Sequence, residues 1–316
     1  MMRAFVFPGQ GSQKVGMGAD LAAASAVARA VFEEVDDALG QKLSALMKDG
    51  PEEDLMLTAN AQPAIMANAI AHLCVLEQEG GIALADKASF VAGHSLGEYT
   101  ALCAAGAFSL ADTARLLRLR GTAMQAAVPV GVGAMAALLG ADIEKATALA
   151  EAAAEGQVCT VANDNDPTQV VISGHREAIE RAIALVKEPK SSWGIKRGVL
   201  LPVSAPFHCS LMQPAADAMA EALGLTPPGA LRVPLFANVT AAMVSEAADV
   251  QRLLVEQVTG RVRWRESALA MQAAGVEQFV EFGGKVLGPM LSRTLSDVSV
   301  ISVTSMAEIE ALAKIL

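Results

Sequence analysis

The stretch that decides the fold reads Phe90-Val91-Ala92-Gly93-His94-Ser95-Leu96-Gly97-Glu98-Tyr99. Its apolar start predicts a buried strand, the pattern Gly-x-Ser-x-Gly predicts a sharp turn, and the Ala- and Leu-rich residues that follow predict a helix. Such a turn holds its serine in a strained backbone conformation, which requires small neighbours, here Gly93 and Gly97. We therefore expect the Ser95 hydroxyl at the tip of a sheet, beside helix N–H groups that have no partner inside the helix.

This geometry predicts that Ser95 is an acyl-accepting nucleophile, because the free N–H groups could hold the oxyanion that forms when a carbonyl is attacked. The alternative is a chance occurrence of the pentapeptide in a chain that contains 26 glycines. The predicted strand before the turn and the predicted helix after it favour the nucleophile.

The chain has 316 residues, of which 53% are apolar and only 4% aromatic, and its formal charge is −10. This composition predicts a helix-rich α/β protein with one large domain, or one large and one small. The acidity argues against nucleic acid or an anionic membrane as a partner. The sequence shows neither an apolar run of about 18 residues nor a signal-peptide core, so we expect a cytoplasmic location. The cysteines lie far apart, and neither a disulfide nor a metal site is expected.

A glycine-rich loop, residues 8–13, follows a predicted first strand. A dinucleotide-binding fingerprint would need a third glycine at the position of Lys14, and a Walker loop would need Gly-Lys-Ser/Thr. We interpret the loop as backbone that comes close to a ligand, with Gly9 and Gly11 leaving space around Gln10. An ordinary strand-to-helix turn is the alternative.

The helix predicted from Leu110 to about Ala127 carries an arginine on its apolar side. At about 100° per residue, Arg120 falls in the middle of the apolar arc, whereas Arg115 and Arg118 fall outside it. A buried guanidinium keeps its proton and needs an anion. That anion is either an internal Asp or Glu or, in the functional interpretation, the carboxylate of a substrate.

From about Pro129 the pattern changes to that of a small inserted unit with the order β-α-β-β-α-β. The predicted elements are the strand Gly133–Leu139, the helix Asp142–Glu155, the strands Val158–Ala162 and Gln169–Ser173, the helix Ala178–Val186 and the strand Gly198–Val203. The Asn- and Asp-rich residues 163–167 predict a turn between the two middle strands. We therefore expect a small domain, residues 129–198, within a large domain formed by residues 1–128 and 199–316.

Of the four histidines in the chain, His208 is the best candidate for the general base of Ser95. It lies in the loop Ser204-Ala205-Pro206-Phe207-His208-Cys209, after the last strand of the insert. His72 is predicted in a helix, and His175 in an exposed turn. His94 lies inside the Gly-x-Ser-x-Gly turn, here called the elbow, and is predicted to point away from its tip. No acidic third member stands out, so a backbone carbonyl could fix the tautomer of His208. A surface loop histidine is the alternative.

Six ordered stretches together resemble the malonyl-CoA:acyl carrier protein transacylase family. They are Phe7-Pro8-Gly9-Gln10-Gly11-Ser12-Gln13, Gln62-Pro63-Ala64, Gly93-His94-Ser95-Leu96-Gly97-Glu98, Arg118-Leu119-Arg120-Gly121-Thr122-Ala123-Met124-Gln125, Pro202-Val203-Ser204-Ala205-Pro206-Phe207-His208 and Val262-Arg263-Trp264. The resemblance runs nearly from end to end. It implies a hydrolase-like α/β core with a parallel sheet and an inserted ferredoxin-like (βαββαβ) small domain, in agreement with the order of elements predicted above.

The resemblance also implies roles for the residues at the centre of these stretches. Ser95 resembles the acylated nucleophile and His208 resembles its base. Arg120 resembles the residue that pairs with the free malonyl carboxylate. Gln10 and Leu96 resemble the residues whose backbone N–H groups form the oxyanion hole.

Four further residues match the family with supporting roles. Gln257 resembles the residue whose backbone carbonyl orients the histidine. Gln62 and Asn165 resemble residues that line the substrate pocket. Phe207, directly before the histidine, resembles the malonyl-selecting form of this loop rather than the methylmalonyl form.

The implied reaction is a ping-pong transfer of malonyl from malonyl-CoA to the phosphopantetheine thiol of acyl carrier protein, supplying fatty acid synthesis. A monomer is expected, with no cofactor beyond the coenzyme A thioester substrate. A serine hydrolase or thioesterase, a non-enzymatic carrier-binding subunit, and a loading subunit for polyketide synthesis or malonate decarboxylation are the alternatives. Because carrier proteins are acidic, docking would need a basic patch. Its candidates, which could equally form a solvated face, are Lys187, Lys190, Lys196 and Arg197.

Overall fold

The computed structural model describes residues 1–188, 192–203 and 205–316, so Lys190 of the predicted basic patch lies outside the described residues. The strands are β1 Met2–Phe7, β2 Phe90–Gly93, β3 Gly133–Leu139, β4 Cys159–Asp166, β5 Gln169–His175, β6 Arg197–Leu200, β7 Leu235–Ala237, β8 Ala242–Val244, β9 Val276–Phe282 and β10 Ser299–Val303. The helices are α1 Ala19–Ala24, α2 Ala26–Leu39, α3 Leu43–Asp49, α4 Glu52–Met56, α5 Thr58–Gln78, α6 Leu84–Lys87, α7 Gly97–Ala104, α8 Leu110–Ala126, α9 Ile143–Ala154, α10 Arg176–Lys187, α11 Gln213–Leu225, α12 Ala247–Thr259, α13 Trp264–Ala273, α14 Leu287–Thr294 and α15 Met306–Ala313.

The larger sheet has the strand order β10-β9-β1-β2-β7-β8, and its neighbours pair in parallel except β7 and β8. Phe5 and Phe7 of β1 pack into one apolar cluster, and Ala4 and Val6 pack into another on the opposite face. Both faces of the sheet are therefore covered, as a parallel sheet requires. The predicted α/β fold is confirmed.

The smaller sheet is antiparallel and has the order β4-β5-β3-β6. The chain passes through β3, α9, β4, β5, α10 and β6, which is the predicted order of elements. Along β3 the side chains alternate between two environments, because successive residues of a strand point to opposite faces. Ala136 and Leu138 pack with α9 and α10, whereas Met135 and Ala137 join the main core. One face of the smaller sheet is thus covered by α9 and α10, and the other face packs against the main core.

The predicted turn at residues 163–167 is wrong, because β4 continues through this stretch to Asp166. Two ion pairs to the larger layer explain the error. Asp164 Oδ2 lies 2.8 Å from Nη2 of Arg265, and Asp166 Oδ2 lies 2.7 Å from Nη2 of Arg293. Both aspartate side chains are fully buried, and arginines about a hundred residues away in sequence neutralise them. A local pattern of Asn and Asp cannot reveal partners at that distance.

The last strand of the insert is shorter than predicted, since β6 ends at Leu200 rather than at Val203. Its pairing with β3 runs from Arg197 to Leu200, and one further hydrogen bond follows, from the N–H of Leu201 to the carbonyl of Met135 at 2.9 Å. None of the described helices has the length and hydropathy needed to cross a membrane.

Helix α8 packs closely on α5 at Gly121, where a Cβ would lie 2.5 Å from the carbonyl oxygen of Thr58. We expect Gly121→Ala to separate the two helices, move the adjacent Arg120, and lower the free energy of unfolding by about 1–3 kcal/mol. Gly224, in α11, is the matched control, because a Cβ there meets no atom within 4 Å. Gly224→Ala should leave stability unchanged or raise it by up to about 1 kcal/mol. Denaturant titration measures both; equal losses in the two variants would contradict the packing argument.

Candidate active site

The turn between β2 and α7 is held by two glycine contacts. A Cβ on Gly93 would lie 1.9 Å from the carbonyl carbon of Gly97, and a Cβ on Gly97 would lie 2.3 Å from the carbonyl oxygen of Phe7. Only hydrogen fits at either position, so strand, turn and helix can approach this closely. Ser95 has φ 55°, in the left-handed region that residues with side chains rarely adopt. The structure therefore has the strand, strained turn and helix that the pentapeptide predicts.

Ser95 contacts the histidine predicted as its base. Its Oγ lies 2.7 Å from Nε2 of His208, and Nδ1 of the same ring lies 2.8 Å from the backbone carbonyl oxygen of Gln257. A carbonyl oxygen can only accept a hydrogen bond, so Nδ1 carries the proton and Nε2 accepts the O–H of Ser95. This is the tautomer that a general base requires.

The position of Gln257 explains why its carbonyl is free to orient the ring. The last carbonyl groups of a helix have no partner inside the helix, and α12 ends at Thr259. Burial, with the positive charge of Arg120 as the second cause, lowers the pKa of His208 to about 3. The imidazole is therefore neutral near pH 7 and can accept a proton.

Arg120 is buried, with 1% of the residue exposed. Nη1 donates to Oε1 of Gln62 at 2.8 Å, and Nη2 donates to Oε1 of Gln257 at 2.9 Å and to Oγ of Ser95 at 3.1 Å. Its Cζ lies 5.8 Å from the centre of the Tyr99 ring. Within the described part of the chain, no carboxylate forms an ion pair with Arg120, and its Nε has no partner. The guanidinium therefore has no carboxylate in direct contact and can receive one from a ligand. The buried Glu98 acts on its charge only through space.

Two backbone N–H groups beside Ser95 are candidates for an oxyanion hole. Those of Gln10 and Leu96 donate to no other described residue, and both residues line the cavity described below. The N–H of Ser95 itself is occupied, because it donates to Oδ1 of Asn238 at 2.8 Å. The loop that carries Gln10 packs against the elbow through Gly9, where a Cβ would lie 2.7 Å from the carbonyl oxygen of His94.

A cavity of about 290 Å³ adjoins Ser95, with walls from both sheets. The elbow and the loop 8–13 form one side, and Met135 and Val171 of the smaller sheet form the other. The cavity is also lined by every residue predicted to bind substrate: Arg120, Gln62, Asn165 and Phe207. Gln257 lies behind this lining. The cavity could hold a short acyl group with one end at Arg120 and the other at Ser95.

His94 was expected to point away from the tip of the elbow, and that expectation is wrong. It lines the same cavity, and its Nε2 lies 2.8 Å from Oδ1 of Asn165. The ring occupies space that Gly9 leaves, since a Cβ there would lie 3.0 Å from Nδ1 of His94. On another side it packs against Trp264, with the ring centres 5.9 Å apart.

Sequence reasoning missed two buried polar residues behind the elbow. Asn238 follows β7 directly and joins the elbow on both sides, because Nδ2 donates to the carbonyl of Gly93 at 2.7 Å while Oδ1 receives the N–H of Ser95. The carboxyl ends of parallel strands meet at one edge of a sheet, so an Asn just after a buried strand was the available signal. The second residue is Glu98, whose carboxyl Oε2 accepts the N–H of Asn238 at 3.0 Å.

The described residues of the predicted basic patch, Lys187, Lys196 and Arg197, are exposed, and none lines the cavity. Lys196 packs its stem on Gly140, where a Cβ would lie 2.7 Å from Cγ of the lysine. A role for the patch in docking stays a prediction. No group of three or more described His, Cys, Asp or Glu side chains could hold a metal ion.

Comparison with known proteins gives consistent matches over nearly the whole chain. A family model described as the acyl transferase domain matches residues 4–306. The malonyl CoA-acyl carrier protein transacylase of Escherichia coli strain K12 is 46% identical over 291 residues, which is 92% of this chain and 92% of that protein.

Solved structures are similar over the same extent. The acyl-carrier-protein-S-malonyltransferase of Bartonella henselae superposes with a TM-score of 0.96 at 52% identity, covering 100% of this chain and 99% of the other. The malonyl-transacylase of a type II PKS, solved in complex with its acyl-carrier protein, superposes with a TM-score of 0.95 at 40% identity and covers 100% of both chains.

Proposed function

Because this chain belongs to the malonyl CoA-acyl carrier protein transacylases of the acyl transferase family, we propose that it transfers a malonyl group from malonyl-CoA to the thiol of an acyl carrier protein. The single observation that carries this proposal is the buried Arg120, which lies within hydrogen-bond distance of the Ser95 hydroxyl and has no carboxylate partner among the described residues. A cation and a nucleophile placed together in this way suit a thioester that also bears a carboxylate.

In the first half-reaction, His208 Nε2 removes the proton of Ser95 as Oγ attacks the thioester carbonyl carbon. The carbonyl oxygen becomes an oxyanion, which the N–H groups of Gln10 and Leu96 stabilise by about 3–4 kcal/mol for each donor. The C–S bond then breaks, and coenzyme A leaves as a thiol with the proton from His208. The product is a malonyl ester on Ser95.

The second half-reaction runs the same steps with another thiol. His208 removes the proton from the phosphopantetheine thiol of the carrier, and the sulfur attacks the ester carbonyl. The oxyanion accepts hydrogen bonds from the same two N–H groups. The C–O bond then breaks, and Ser95 Oγ takes the proton back from the imidazolium. The carrier leaves as malonyl thioester, and the enzyme returns to its starting state.

Specificity is assigned to Arg120, held in place by Gln62 and Gln257. A substrate without a carboxylate leaves the buried guanidinium unpaired, which costs several kcal/mol relative to malonyl. Asn165 and Phe207 contribute to the wall against which the acyl group rests. The pathway supplied is fatty acid or polyketide synthesis.

The fold proposal is a hydrolase-like core with a ferredoxin-like small domain, supported by the strand order β4-β5-β3-β6 and by the parallel larger sheet. We place the small domain at residues 129–200 rather than 129–198, because β6 pairs with β3 as far as Leu200. A monomer that needs no cofactor and works in the cytoplasm completes the proposal.

The competing function is a thioester hydrolase, since the same nucleophile, base and oxyanion hole would serve water as acceptor. The deciding experiment incubates the protein with malonyl-CoA and measures malonyl appearing on a holo carrier protein and as free malonate. We expect malonyl transfer to the carrier to exceed the release of free malonate. Free malonate as the main product, or no malonyl-enzyme at all, would reject the transferase.

A further inference from the structure

Behind the reacting groups, the side chain of Gln257 joins the substrate-binding arginine to the elbow. Its Oε1 accepts from Nη2 of Arg120 at 2.9 Å, and its Nε2 donates at 2.9 Å both to the backbone carbonyl of Ser95 and to Oε2 of Glu98. Gln257 is fully buried, and Glu98 is 1% exposed. The roles assigned above use the backbone carbonyl of Gln257 and the contact of its Oε1 with Arg120. The groups that orient this amide have no role yet.

The orientation of the Gln257 amide is determined by these neighbours. On one side, Ser95 and Glu98 offer only acceptors; on the other, Arg120 offers only donors. A flipped amide would set its oxygen against two oxygens and its NH₂ against a guanidinium. Both contacts are repulsive in a buried site, where polar interactions are strong.

We propose that Glu98 is a positioning residue for carboxylate selection, which fixes the Gln257 amide so that its oxygen holds Arg120 in place for the substrate. The proposal rests on the proposed function. Glu98 lies in the first turn of α7. Its backbone N–H donates to the carbonyl of Ser95, but its side chain does not line the cavity and makes no hydrogen bond to the guanidinium. Glu98 acts through Gln257. The amide NH₂ of Gln257 donates to Glu98, and the amide oxygen of Gln257 accepts from Arg120.

The role depends on an oxygen at this point and not on its charge. Oε2 accepts two N–H groups, from Asn238 and Gln257, whereas Oε1 is buried and has no partner among the described residues. Burial raises the pKa of Glu98 to about 7. A proton taken up there would sit on Oε1, and Oε2 would go on accepting from both donors.

Two substitutions at Glu98 separate contact from charge. Glu98→Gln keeps an oxygen at the same reach and removes the charge, whereas Glu98→Asp keeps the charge and withdraws the oxygens by one carbon–carbon bond. For each variant, kcat and KM for enzyme acylation are measured with malonyl-CoA and with acetyl-CoA. We expect Glu98→Asp to lower the malonyl-to-acetyl ratio of kcat/KM by about tenfold, the worth of a hydrogen bond to a charged group, mainly through KM for malonyl-CoA.

Glu98→Gln is expected to keep this ratio within about twofold of the unmodified protein. The reverse order, with selectivity lost in Glu98→Gln and kept in Glu98→Asp, would overturn the proposal in favour of a charge effect. So would an equal fall in kcat for both substrates with KM unchanged. Glu221→Asp, at an exposed position of α11, controls for the Glu-to-Asp change, and thermal unfolding verifies that each variant is folded.

A double-mutant cycle with Gln257→Leu tests whether Glu98 acts through this amide. The Gln257→Leu variant keeps the backbone carbonyl, and adding Glu98→Asp to it should lower selectivity no further, whereas additive losses would contradict the route. Failure of the proposed function is distinguishable, because the unmodified protein would then form no malonyl-enzyme. Failure of this inference leaves that protein active and selective.

Discussion

Ser95→Ala is expected to abolish formation of the malonyl-enzyme and to lower the rate of malonyl transfer by on the order of 10⁴-fold or more. The variant removes the only atom to which the acyl group is proposed to attach, while the N–H groups of Gln10 and Leu96 remain. Mass spectrometry of the intact protein after incubation with malonyl-CoA measures the covalent step, and transfer to a holo carrier measures the whole reaction.

The matched control for this variant is Ser292→Ala, which removes a hydroxyl from an exposed position of α14. It should acquire the malonyl group as fully as the unmodified protein. Peptide mapping of the labelled protein should place the group on the peptide that contains Ser95. Persistence of a malonyl adduct in Ser95→Ala, or transfer at an undiminished rate, would mean that another nucleophile or a direct attack by the carrier thiol carries the reaction.

Arg120→Leu is expected to lower kcat/KM for malonyl-CoA by roughly 100-fold or more, because truncating one partner of a buried charge pair leaves the other unpaired. Acylation by acetyl-CoA should fall much less, since acetyl has no carboxylate and the leucine offers an apolar wall. Arg115→Leu on the same helix is the control, because that side chain is 58% exposed and pairs with Asp112. Equal losses for malonyl-CoA and acetyl-CoA would remove Arg120 from specificity.

The same substitution should change the pH dependence of acylation by acetyl-CoA. The base works when His208 is neutral, that is, at pH values above its pKa. Burial and the charge of Arg120 together hold that pKa at about 3, so the unmodified protein should show no loss of rate as the pH falls moderately below neutrality. Removing the charge raises the pKa of His208, and the acid limb of the rate profile should move to higher pH. An acid limb that stays in place would show that Arg120 does not act on the base.

The elements near the elbow were predictable because their signals are local. A turn that requires glycine at two fixed positions, a strand before it and a helix after it all lie within one stretch of the chain. Arg120 was identifiable because a charge on an apolar helix face is a local conflict that only a partner can resolve. His208 emerged by elimination among four histidines, and the contact between Ser95 Oγ and its Nε2 agrees with that selection.

The features that sequence reasoning missed depend on contacts between distant segments. Strand β4 was cut short because Asp164 and Asp166 carry a turn signal that only Arg265 and Arg293 override. Glu98 and Asn238 were overlooked because a polar residue at the end of an element has no visible purpose until its neighbours are known. The site of His94 was misjudged because it depends on the space at Gly9, which belongs to another loop.

The alternation of side chains along β3 has a consequence for how the acyl specificity of the enzyme can change. Met135 and Ala137 face the main core, and Met135 also forms part of the cavity wall. Ala136 and Leu138 belong instead to the separate apolar core under α9 and α10. A substitution at Met135 can therefore change the space offered to an acyl chain without entering the core of the small domain. Engineering of the acyl-CoA specificity would therefore begin at Met135.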